Sequence, residues 1–135
     1  MNAIFFAASW FVVPAWLLLL FAPRSRATKW VAQFVVPITL AVVYVILLLL
    51  PHKGGGGFTS LQQLSLFFRN DEVLLAGWIH YLVLDLLTGN WESSDAARLG
   101  MSRALVAPCL ILTFLFAPAG WLSYIVLRAV RARRN

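Results

Sequence analysis

The stretch WVAQFVVPITLAVVYVILLLL, residues 30–50, holds 21 residues without a single charge, bounded by Lys29 before it and by Pro51-His52-Lys53 after it. About 20 consecutive apolar residues suffice for a helix to cross the roughly 30 Å hydrocarbon core of a bilayer. The composition of the whole chain agrees: of 135 residues 61% are hydrophobic and 12% charged, and the mean hydropathy is +0.84. Ordinary soluble domains carry roughly 45–50% apolar and about 25% charged residues. A chain this short could not bury so much apolar surface in water. Lipid solvates it directly, provided each segment satisfies its own backbone hydrogen bonds as a helix.

Working outward from that stretch, three more segments read as spans. Ala3 to Ala22 is long enough to cross, and Pro23-Arg24-Ser25-Arg26 stands where a small-residue cleavage site would be, so it reads as a retained helix and not a signal peptide. No Arg- and Ser-rich leader precedes it, which argues against a transit peptide. The third span runs from about Glu72 to Gly89, with Asn70 as the expected cap and Asp71 and Glu72 complementing the helix dipole. Asn90 to Gly100 reads as a loop holding one turn capped by Ser94. The fourth span runs from Arg103 to about Leu127, bent at Pro118-Ala119-Gly120. Pro14, Pro37 and Pro108 each remove a bond to the carbonyl four residues back. Gly54 to Gly57 reads as a flexible tether, and Leu61, Leu64 and Phe68 suit either a short interfacial helix or a loop. The expectation is an all-α integral membrane bundle of four transmembrane helices, about 3–22, 30–50, 72–89 and 103–127, forming one domain over residues 1–135.

The net charge of +6 comes from cations placed between or after the apolar runs: Arg24, Arg26 and Lys29, then Arg128, Arg131, Arg133 and Arg134. There they anchor helices against headgroups, and no fold signature of nucleic-acid binding accompanies them. With four crossings the two groups fall on opposite faces and the charge rule is nearly tied. That leaves a weak preference for the N-terminus outside, or a last segment that is re-entrant. Cys109 is the single cysteine, so neither an internal disulfide nor a cysteine-based metal cage can form.

The chemistry concentrates in Trp78-Ile79-His80-Tyr81-Leu82-Val83-Leu84-Asp85-Leu86. Ionisable groups inside an apolar span are costly unless they pair or face a polar cavity, which makes His80 and Asp85 functional candidates. The structural alternative is a neutral His80 donating to a neighbouring helix carbonyl and Asp85 pairing with Arg98 or Arg103. On a helix the two differ by about 140° and about 7.5 Å, so they do not form a dyad, but can line different sides of one cavity; Glu72 can guard its entrance. No His-x3-His or Glu-x2-His pattern supports a metal, and no Gly-x-Ser-x-Gly turn supports a serine triad. Neither metal nor cofactor is expected. Trp78, Tyr81 and Trp121 belong either to interfacial belts and packing or to a slot for a flat polyene lipid.

The Trp-x-His-x4-Asp-Leu string at Trp78, His80, Asp85 and Leu86 resembles the abscisic-acid-deficient-4-like membrane proteins. So do Pro14-Ala15-Trp16-Leu17-Leu18 running into Ala22-Pro23, then Glu72, Ala76-Gly77, and Pro118-Ala119-Gly120. The plant members of this four-helix family are required for neoxanthin formation. The resemblance implies a carotenoid or isoprenoid isomerase that opens an epoxide without redox change, Asp85 as acid and His80 as base. The alternatives are a non-catalytic module that holds a lipid or a partner enzyme, and a small oligomeric proton-coupled transporter using Glu72 or Asp85. Expected partners are membrane lipid and a carotenoid or isoprenoid ligand, with no nucleic acid. The short N-terminus, Gly54 to Gly57 and the Arg-rich tail point to a bacterial protein of the plasma (inner) membrane.

Overall fold

A computed structural model describes residues 1–51 and 54–132, all of whose regular structure is helical. His52, Lys53, Arg133 and Arg134 lie outside the described residues. The first apolar run folds as α1 (Asn2–Phe11) and α2 (Val13–Phe21), which meet at Val12 because Pro14 falls in the first turn of α2, where its missing N–H costs nothing. Ser25 then caps α3 (Arg26–Trp30) by accepting from the Thr28 amide at 3.0 Å. A π turn over Val31–Val35 leads into α4 (Val36–Leu49). The widened turn lies just before Pro37, whose ring cannot sit in a regular helix interior, so the second run continues without a break.

Gly54 to Gly57 does not hang free. Gly56 adopts φ +127°, a Cβ there would collide with the Phe67 backbone, and the Gly57 amide donates to the Gln63 carbonyl at 3.1 Å. The glycines thus lie against α5 (Leu61–Phe67), a short helix capped by Ser60, whose hydroxyl accepts from the Gln63 amide at 3.1 Å. Asn70 precedes the next helix, but its side chain donates to the Phe67 carbonyl at 2.9 Å in place of the expected cap.

That helix, α6 (Asp71–Arg98), has 28 residues, a length of about 42 Å. It runs straight through the segment expected as a loop, and Ser94 is an interior residue and not a cap. The rest of the molecule is built around it: α4, α7, α8 and α2 all pack on α6. Ile79 and Leu86 are fully buried, and Gly89 leaves room for the Trp16 indole, which a Cβ would strike.

The largest departure concerns the last run. It is not one bent helix but two, α7 (Arg103–Leu115) and α8 (Ala117–Ala132), broken at Phe116, whose φ −149° and ψ 78° are extended. Gly120 lies so close to Thr113 that a Cβ would collide with the Thr113 side chain and backbone, a contact that requires the chain to turn back on itself. The other end closes the same way: the Tyr124 hydroxyl and the Arg128 Nε both donate to Asp95 Oδ2, at 2.8 and 2.7 Å. Asp95 lies near the end of α6, so α8 runs alongside α6 in the same direction and α7 runs between in the opposite one. A 13-residue α7 reaches only about 20 Å. Among the described residues three helices are long and apolar enough to cross a membrane: Asn2–Phe21, Arg26–Leu49 and Asp71–Arg98.

Candidate functional site

Along α6 the residues Trp78, Tyr81, Asp85, Thr88, Glu92 and Asp95 recur at steps of three and four, which puts them on one stripe of the helix. His80 lies about 100° to its side. The stripe borders two cavities of about 760 Å³ each. The first lies between α1, α4, α5 and the start of α6, and is lined chiefly by apolar and aromatic side chains such as Phe5, Tyr44, Phe67 and Trp78, with Asp71 at its edge. The second runs from His80 to Trp91 and is walled by Ala117, Pro118 and Trp121 of α8. His80 and Tyr81 line both. Taken together the two follow α6 from Asp71 to Trp91, a rise of about 30 Å.

Each side chain on this path is held differently. The Trp78 indole donates to the Ser9 hydroxyl at 3.0 Å and stacks on the Tyr81 ring at 5.4 Å between centroids. The Tyr81 hydroxyl donates to the Leu115 carbonyl at 2.8 Å, tying α6 to the tip of the α7–α8 hairpin. His80 is exposed, its ring 5.7 Å from that of Tyr44. Asp85 is 6% exposed and has an Oδ2 that is buried without a hydrogen-bond partner. His80 and Asp85 therefore line one cavity with no hydrogen bond between them.

Two expected arrangements are not found. Glu72 is half-buried and lines neither cavity; its neighbour Asp71 lines the first. Arg98 and Arg103 do not reach Asp85: Arg98 donates to Asp95 at 2.7 Å, and Arg103 donates to the Phe21 carbonyl at 3.1 Å. Among the described residues no group of three His, Cys, Asp or Glu side chains could hold a metal ion.

A family model described as ABA DEFICIENT 4-like matches residues 3–124, which takes in the whole of α6, the lining of the second cavity and that of the first but for Met1 and Asn2. The chain belongs to that family. Within the ABA DEFICIENT 4-like family it is similar to Protein ABA DEFICIENT 4, chloroplastic, of Arabidopsis thaliana, 30% identical over 140 residues. The match covers 96% of this chain and 62% of the relative, so the chain spans less than two thirds of that protein's length. No solved structure matches it. The expected bacterial source is overturned by this match, since the similar protein is a chloroplastic plant protein. Membrane association rests on the chain's own apolar helices.

The ABA DEFICIENT 4-like chain also holds a polar cluster that sequence reasoning missed. Glu92 is fully buried, and both its oxygens lie within 3.0 Å of the Thr113 hydroxyl. Asp95 collects Arg98, Arg128 and Tyr124. The signal was available in the three-and-four spacing, which runs from Trp78 to Asp95 without a break.

Proposed function

We propose that the chain is a membrane-embedded isomerase that binds an elongated isoprenoid of carotenoid type along α6 and opens an epoxide on it. The observation that supports this reading is that His80 and Tyr81 line both cavities, which together flank about 30 Å of α6 with mostly apolar walls and have a carboxyl and an imidazole near the middle of that length. A ligand of that shape needs apolar walls over most of its length and a few polar groups at one place. Membership of a family whose plant members serve neoxanthin formation supplies the reaction class.

The chemistry asks for little. Asp85, as the carboxylic acid, protonates the epoxide oxygen as its carbon–oxygen bond breaks; His80, neutral, takes a proton from the adjoining polyene carbon, and the electron pair left behind forms the new double bond. One proton is given and one removed, so no oxidant or reductant enters. The cavity separates the two groups, as a reaction at two atoms of one substrate requires. Trp78, Tyr81 and Trp121 supply flat walls for the polyene, and Tyr81 also fixes the hairpin tip. Glu72, away from both cavities, has no part in this reading.

The test is expression in cells that accumulate epoxidised carotenoids, comparing the unaltered chain with His80→Ala and Asp85→Asn. A new allenic pigment with the unaltered chain alone, while both variants insert at normal levels, supports the isomerase. Unchanged pigments in every case, with the purified protein carrying a polyene, would leave a lipid-binding module that serves a partner enzyme.

A further inference from the structure

The break at Phe116 places the N-terminus of a 16-residue helix, α8, at the wall of the second cavity, which Asp85 also lines. The hydroxyl donors around that cavity are already committed. The Tyr81 hydroxyl goes to the Leu115 carbonyl and the Thr88 hydroxyl to the Leu84 carbonyl, each at 2.8 Å. The amides of Ala119 and Gly120 both return to the Phe116 carbonyl at 3.0 Å, and Pro118 has no N–H. Two buried backbone or carboxylate groups are left over. One is the Ala117 amide, which donates to no group among the described residues; Ala117 is 8% exposed. The other is Asp85 Oδ2.

A buried amide and a buried carboxylate oxygen without partners are each costly in an apolar interior. They are complementary to an oxygen that accepts from the amide and shares one proton with the carboxyl group, given by the acid to an epoxide or by an alcohol to the carboxylate. We infer that Ala117 N–H and Asp85 together form a binding site for a single oxygen function, an epoxide or the alcohol it becomes, on an otherwise apolar isoprenoid. This rests on reading the cavities as a lipid site and adds the polar anchor to it. The free N–H and the positive end of the α8 dipole meet the oxygen where charge develops as the ring opens, and Asp85 lies on its other side. Broken helices inside membranes commonly present a terminus to a ligand in this way. After ring opening the oxygen stays in place: the new hydroxyl donates to the Asp85 carboxylate and still accepts from Ala117.

The experiment is native mass spectrometry of the full chain in detergent, titrated with geranylgeraniol and with the hydrocarbon of the same carbon skeleton without the hydroxyl. The unaltered chain is expected to prefer the alcohol by about tenfold. Ala117→Pro removes the N–H at a position where proline suits a helix start and follows the extended Phe116; it should bring the preference to within about twofold. Ala117→Gly keeps the N–H and should retain the full preference. Should Ala117→Pro fail to fold, Asp85→Leu reads the same loss from the other side. Equal affinity for the two probes in the unaltered chain, or a preference that survives Ala117→Pro, overturns the anchor while leaving the apolar slot. Binding of neither probe overturns both.

Discussion

Asp85 and Asp95 lie ten residues apart on one helix and are buried to nearly the same degree, 6% and 5% exposed, yet their surroundings are opposite. Asp95 receives three donors, two of them cationic. Asp85 has an oxygen with none, in a cavity. Burial alone therefore does not separate a fastening acid from a reactive one; the separating property is how much hydrogen-bonding capacity the fold leaves over. The C-terminal end of α6 spends Glu92 and Asp95 on holding the α7–α8 hairpin, and the middle of the helix leaves one oxygen of Asp85 over.

The sharpest way to break this contrast is at Asp95. Asp95→Ala strips Tyr124, Arg98 and Arg128 of their common partner and should cost about 2–4 kcal/mol, read as a lowered thermal midpoint in detergent. Gly120→Leu tests the hairpin from the other side. Its Cβ would strike Thr113, and forcing α7 from α8 should cost about 1–3 kcal/mol, with the Tyr81 contact to Leu115 disturbed as well. Thr113→Val leaves Glu92 buried without a donor, a loss of about 1–2 kcal/mol. Smallest of all should be Asp85→Leu: replacing a carboxyl that lacks a partner at one oxygen is expected to leave the thermal midpoint unchanged or slightly raised, while pigment conversion disappears. If Asp85→Leu proves as destabilising as Asp95→Ala, the two acids are alike and the contrast fails.

The sequence made the apolar half of this architecture plain and concealed the polar half. Runs such as 30–50 are legible because lipid asks only for length and apolarity, and His80 and Asp85 stand out against such a background. Asn90 to Arg98 was opaque for the same reason. Its Asn, Glu, Ser and Asp residues look like a loop by hydropathy, whereas partners on α7 and α8 make them tolerable inside a helix. The break at Phe116 was harder still. Pro118 and Gly120 announce a bend, but only the contact with Thr113 shows that it is a full reversal. Asn70 followed its propensity to the helix start and then donated to Phe67, because that carbonyl was the group within reach.

The reversal at Phe116 also bears on how the chain enters its membrane. A single crossing over 103–127 would put Arg128 on the face opposite Arg24, Arg26 and Lys29, so that one or the other would have to be carried through the bilayer, a cost on the order of 2.5–3.5 kcal/mol for each cation at mid-membrane. In the hairpin α8 returns to the end of α6. Arg128 comes down beside Asp95 and Arg98, and Arg103 touches the end of α2 at Phe21, next to Arg24 and Arg26. The N-terminus, with Asp71, borders the first cavity at the opposite end. Arg128 thus stands on the same face as Arg24, Arg26 and Arg103, with Arg69 alone across from them among the described cationic side chains. A hairpin of this kind suits insertion as a unit from the side on which the chain is made, since cations at both of its ends then stay on one face.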